Sequence, residues 1–159
     1  MANDIQIIWD ETTGTGDINF DKGDFSREDS LSSAVLMSLF TDRRADDDDF
    51  LPDELNGSKR GWWADLVTDI DDDQIGSRLW LLSRSKTDTQ TLNDAQDYAN
   101  EALQWLIDDG IAIEIISSAS RVRLNSTDLL ALDIEIRKSD GETETFKFDD
   151  LWAAQIAST

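Results

Sequence analysis

The sequence predicts an α+β fold: helices packed on a small, mainly antiparallel sheet formed largely by the C-terminal half, with a short N-terminal strand pair and a long acidic loop. Three observations carry this. Leu130, Leu132, Ile134 and Ile136 alternate strictly with Ala131, Asp133, Glu135 and Arg137, the period of a half-buried strand. Leu92, Ala95, Ala99, Ala102 and Leu106 recur at the three- and four-residue spacing of one helix face. Between Thr41 and Arg60 the periodicity dissolves into TDRRADDDDFLPDELNGSKR, with four consecutive aspartates and the only proline of the chain. That loop is longer than a compact domain usually carries without a reason; it reads either as a solvated acidic run or as a segment ordered by a partner.

The elements follow in order. Ile5, Ile7 and Trp9 alternate as on a short strand, and Gly-Thr and DKGD turns flank Ile18 and Phe20. Asp29 or Ser30 can cap a helix bearing Leu31, Ala34, Val35, Ser38 and Leu39 on one face, which Leu36, Met37 and Phe40 widen. Trp62 to Val67 forms a helical turn. Gly76 to Ser85 carries Leu79, Trp80, Leu81 and Leu82 on a short helix or extended segment. The long helix starts at a capping box, Thr87 to Gln90, or at Thr91 to Asp94, and ends at Gly110. Ile111, Ile113 and Ile115 begin the sheet, and Ile116 breaks the parity, which suggests a bulge.

Register places the last turn. A two-residue Asp140-Gly141 loop would put apolar side chains of the two strands on opposite faces. A three-residue loop, Ser139-Asp140-Gly141, pairs Ile134 with Phe146 and Leu132 with Phe148 and keeps one face apolar.

The chain has 159 residues, enough for a single domain over 1–159. Fourteen Lys and Arg against 35 Asp and Glu leave a net charge of −21, which makes phosphate backbones poor partners and speaks against nucleic acid. Six tryptophans and six phenylalanines supply a core that a disordered acidic chain would lack. Without cysteine or histidine there are no disulfides, no thiolate or imidazole ligands, and no Ser-His or Cys-His dyad. MANDIQIIWDE lacks the basic and apolar regions of a signal peptide, and no apolar run spans a bilayer, so a soluble protein made in a cytoplasm is expected.

The acids raise two questions. DIDDDQIG places Asp69, Asp71 and Asp73 at calcium-loop spacing, but Gln74 stands where the sharp turn needs glycine and Trp80 where a bidentate Glu belongs. Carboxylate catalysis of glycoside hydrolysis would need a defined pair, and no spacing singles one out among Glu54, Asp65, Glu101 and Glu114. No cofactor, metal or catalytic residue is assigned.

The middle of the chain is more informative. Seven of the 14 basic residues (Arg43, Arg44, Lys59, Arg60, Arg78, Arg84 and Lys86) and three of the six tryptophans (Trp62, Trp63 and Trp80) fall between residues 43 and 86. Trp and Arg are the residues most enriched at interface hot spots, and arginine forks onto carboxylates, a partner's or the chain's own. Adjacent tryptophans splay on any regular element. One reading puts Trp80 and one of Trp62 and Trp63 in the core, with the arginines neutralising local aspartates. The other has one of Trp62 and Trp63 plug the core while its neighbour, with Arg60 and the Arg43-Arg44 pair, anchors a neighbouring protein. Arg78, Trp80 and Arg84 complete the expected interface.

Four blocks, LSSAVLMSLFTDRRA (31–45), RGWWADL (60–66), GSRLWLLSRSK (76–86) and ANEALQWLIDDGIA (99–112), resemble in that order the baseplate wedge protein family of Mu-like contractile phages and prophages. The Asp46–Asp49 run lies outside the resemblance. The resemblance implies a structural protein in multiple copies around the tail axis. Such a protein links the other wedge proteins to the central hub and tube and templates the first sheath ring, in a baseplate assembled in the host cytoplasm. It places wedge contacts at Thr41, Asp42, Arg43, Arg44, Arg60, Gly61, Trp62 and Trp63. A free strand edge over Thr143–Phe148 suits pairing with sheath. Some relatives have been regarded as tail lysozymes, which makes a glycoside hydrolase acting on peptidoglycan the alternative.

Overall fold

The computed structural model describes residues 4–10, 12, 15–18, 20–21, 24–25, 27–28, 31–52, 57–66 and 74–151. In chain order these form β1 (Asp4–Ile5), β2 (Ile7–Asp10), β3 (Thr15–Ile18), β4 (Phe20–Asp21), β5 (Asp24–Phe25), β6 (Arg27–Glu28), α1 (Ser32–Phe40), α2 (Thr89–Asp108), β7 (Ala112–Leu124), β8 (Thr127–Lys138) and β9 (Thr143–Phe148). Short 3-10 turns stand at Trp63–Leu66 and Leu79–Leu82. The fold is α+β. The expected N-terminal strand pair is β2–β3, with Ile7 opposite Ile18, and antiparallel pairs β1–β6 and β4–β5 accompany it.

The expected caps of α1, Asp29 and Ser30, lie outside the described residues. The N-cap position is Leu31, whose side chain cannot accept a hydrogen bond. Its backbone N–H instead donates to Glu144 Oε2 at 3.0 Å, so a carboxylate from β9 meets the positive end of the helix. Buried Ser33 accepts from the Ile7 N–H at 2.8 Å and ties β2 to α1. Met37, expected on the buried face, is exposed.

Neither anticipated start of α2 is used. The N-cap is Asp88, between them, in extended conformation, and its carboxylate accepts from the Thr91 N–H at 2.9 Å. The C-terminal glycine is where it was expected. Gly110 has φ +72°, its N–H reaches Ile107 O, and the Ile111 N–H reaches Leu106 O, the two bonds of a Schellman cap.

β7, β8 and β9 form one antiparallel sheet in that order. Lys138 and Glu142 close the three-residue loop through a 2.8 Å backbone bond, Ile134 faces Phe146, Leu132 faces Phe148, and Gly141 has φ +94°. The bulge lies elsewhere than expected. Register shifts between Ala112 and Glu114, which makes Ile113 the extra residue. Beyond it Ile115, Ser117 and Ala119 point toward the helices, while Ile113 and Ile116 are 57% and 52% exposed on the other face. Ile115 and Ile116 are thus an ordinary in–out pair, and the parity change happens two residues earlier.

The core sits between one sheet face and both helices. Leu130, Leu132, Ile134 and Ile136 meet Val35 and Leu39 of α1 and Ala95, Ala99, Leu103 and Leu106 of α2. Each fully buried aliphatic side chain stabilises the fold by about 1.5–3 kcal/mol. Phe40 meets Phe148 edge-on at 5.3 Å, joining α1 to β9.

Candidate functional site

After α1 the chain runs extended through Thr41–Asp46, held on both sides. The Arg43 N–H donates to Ser77 O at 3.0 Å and the Ser77 N–H to Thr41 O at 2.9 Å. On the other flank, the Ala45 N–H donates to Lys59 O at 2.9 Å. Gly76, with φ +98°, permits this closeness: a Cβ there would lie 2.2 Å from Thr41 O. Trp80 lies beneath this strap, 1% exposed, packed with Ala45 and Leu81 and donating its indole N–H to Arg43 O at 2.8 Å.

Arg78 organises the acidic segment. Burial works against its charge, yet hydrogen bonds to Asp49 and Glu101 outweigh that and push its pKa further above the ordinary arginine value. Its guanidinium grips Glu101 through Nε–Oε2 at 3.0 Å and Nη2–Oε1 at 3.2 Å. Nη1 meets Asp46 at 2.9 Å and Asp49 at 3.0 Å, and the group lies 4.7 Å over the Tyr98 ring. Burial and the nearby Asp49 raise the Tyr98 pKa. Lys59 pairs with Asp47 and holds that carboxyl below its usual range. The segment Asp46–Asp49 is therefore folded back by the chain's own cations rather than solvated throughout.

The predicted interface residues divide. Arg43 bonds Gln74 at 3.0 Å and lies 3.8 Å from Glu101. Arg60 pairs with Asp42 at 2.6 Å and stacks 4.8 Å over Trp80. Arg44 is exposed, its backbone against Gly61. Arg84 is exposed and borders a groove lined by Phe50, Pro52, Leu82, Asp94 and Tyr98. Arg43, Arg60, Arg78 and Trp80 thus converge on one cluster with their polar groups bonded inward, and Arg44 and Arg84 stand outside it.

Contrary to expectation, neither member of the tryptophan doublet plugs the core. Trp62 is 41% and Trp63 73% exposed, and the buried plug is Trp80. Arg60 and Gly61 both have positive φ, +52° and +109°, and two successive residues of that kind turn the chain away from the strap before Trp62. The indole rings stand 5.9 Å apart at 51°, with exposed Leu66 closing the following 3-10 turn.

The partners that sequence reasoning missed are Asp49, Glu101 and Tyr98. Aspartates near Arg43 and Arg44 hinted at internal pairing, but no local pattern links Glu101 to Arg78. The calcium-spaced Asp69, Asp71 and Asp73 lie outside the described residues, as does Glu54. Of the other carboxylates considered for catalysis, Glu101 is forked by Arg78 and Glu114 is paired with Arg137 at 2.9 Å. Asp65 accepts from the Ile75 N–H at 3.3 Å. Among the described residues no helix is long and apolar enough to cross a membrane.

A family model described as phage protein GP46 matches residues 31–143. Baseplate protein gp46 of Escherichia phage Mu is 44% identical over 145 residues, covering 91% of this chain and 94% of the relative. Mu-like prophage FluMu protein gp46 of Haemophilus influenzae is 37% identical over 151 residues, 95% of this chain and 98% of the relative.

Proposed function

The chain belongs to the phage GP46 family, and we propose from this that it is a structural component of a Mu-like contractile tail baseplate, acting as one domain over residues 1–159. Its place is the virion tail, after assembly in the host cytoplasm. In several copies around the tail axis it links the other wedge proteins to the hub and tube and templates the first sheath ring. The reading is structural rather than enzymatic, in keeping with the baseplate name of the Mu relative.

The observation that carries the interface is the exposed Trp62–Trp63 pair on a scaffold of internal ion pairs. Trp62, Trp63, Arg44 and Arg84 supply contacts. Arg43, Arg60, Arg78 and Trp80 serve the same interface from beneath by holding its backbone. Exposed anchors on a rigid support bind at low entropic cost. β9, an outer strand of the sheet order, offers a second contact to sheath by strand addition.

Co-expression with neighbouring baseplate proteins, followed by size-exclusion chromatography, tests the reading. A co-eluting complex that protects Trp62 and Trp63 from quencher is expected. A complex unchanged by alanine at both positions would remove them from the interface, and sheath attachment that survives proline scanning of Thr143–Phe148 would remove β9.

A further inference from the structure

Resting on the reading of Trp62 and Trp63 as an interface, we propose that the partner segment they receive is cationic, a peptide bearing lysine or arginine. The sequence leaves open whether this chain's arginines reach a partner's carboxylates or its own. The geometry selects the second. Arg43, Lys59, Arg60 and Arg78 are turned onto the chain's own acceptors: Gln74 and Glu101, Asp47, Asp42, and Asp46 with Asp49 and Glu101, while Arg44 stays exposed beside Gly61 with its charge acting on Asp47. The aromatic faces they cover are Trp80 and Tyr98, which are fixed inside the cluster. Among the described residues no cation of the chain covers Trp62 or Trp63.

What this surface presents is therefore two exposed indoles, Trp62 at 41% and Trp63 at 73%, in tilted contact with each other at 51° with centroids 5.9 Å apart. An indole face attracts an ammonium or guanidinium through its quadrupole, and tryptophan does so best among the aromatic side chains. Asp47 and Asp48 are exposed just past the end of the strap, Asp47 paired with Lys59, and the chain as a whole carries −21. That field steers cationic segments inward and repels acidic ones. The backbone leading into the exposed doublet passes through two successive positive-φ residues, Arg60 and Gly61.

The test uses the full chain and two synthetic peptides, Gly-Lys-Gly-Arg-Gly-Lys and its counterpart with Glu at every charged position. Nitrogen–proton correlation spectra follow the indole N–H signals, with those of Trp62 and Trp63 identified through Trp62→Leu and Trp63→Leu. Saturable shifts of these two signals with the cationic peptide, and none with the acidic one, are expected. Affinity should fall at least tenfold in the double variant, whose melting temperature confirms that it folds. Shifts confined to amides of the acidic strap, or indole shifts with the acidic peptide, would overturn the proposal. Silent indoles alongside tryptophan-dependent baseplate assembly would overturn the cation preference alone. Cation binding alongside tryptophan-independent assembly would overturn the interface reading beneath it.

Discussion

Arg78 and Glu101 meet fork to fork, at 3.0 and 3.2 Å, across 23 residues of sequence, and so fasten the acidic strap to the middle of α2. The same guanidinium holds Asp49, whose side chain is only 10% exposed. Removing a partly buried cation leaves three carboxylates facing one another. Arg78→Ala should cost about 2–4 kcal/mol in denaturant unfolding. Arg78→Lys should recover only part of it, because a single ammonium cannot serve a fork and two further acceptors together.

The two kinds of tryptophan separate stability from recognition. Trp80→Ala should cost about 3–5 kcal/mol, since it empties a buried site and strands the Arg43 carbonyl. Trp63→Ala should change stability by no more than about 0.5 kcal/mol while weakening partner binding. Thermal melts of both variants, set beside the co-elution assay, check the pair.

Two positive-φ glycines make a controlled comparison. Gly110 has open space where a Cβ would go, so Gly110→Ala should cost about 1–2 kcal/mol from backbone conformation alone. Gly76→Ala adds a collision with the Thr41 carbonyl and should cost clearly more. Equal losses in equilibrium unfolding would mean that the strap does not depend on that close approach.

Asp88 gives a pH dependence of known sign. Hydrogen bonds from Thr91, chiefly its backbone N–H, hold the Asp88 carboxyl below the usual range. A depressed folded pKa contributes stability above the unfolded value and loses it as pH falls through the folded one. The first turn of α2 should therefore loosen below about pH 4. Asp88→Ser keeps an acceptor that does not titrate. Far-UV circular dichroism of wild type and variant should diverge only in that acidic window.

Elements whose cause is local were legible in the sequence. The alternation of β8, the Gly110 cap, the stripe of α2 and the Ser139–Gly141 loop each depend on residues a few positions apart, where period and turn chemistry leave one solution. Boundaries failed where two local signals were equal, as at the start of α2, or where an apolar run hid its parity, as at Ile113 and Ile116.

For the candidate site, sequence alone determined the ingredients: a basic, tryptophan-rich stretch beside four aspartates in an acidic chain. Tertiary structure decided which tryptophan is buried, which arginine faces inward, and that the cap of α1 comes from Glu144. The physical reason is the same in each case. A charged or aromatic side chain can satisfy itself against any complementary group in reach, and reach is set by how distant segments pack. Composition names the possible partners, and only the fold brings Glu101 to Arg78 and leaves Trp62 and Trp63 outside.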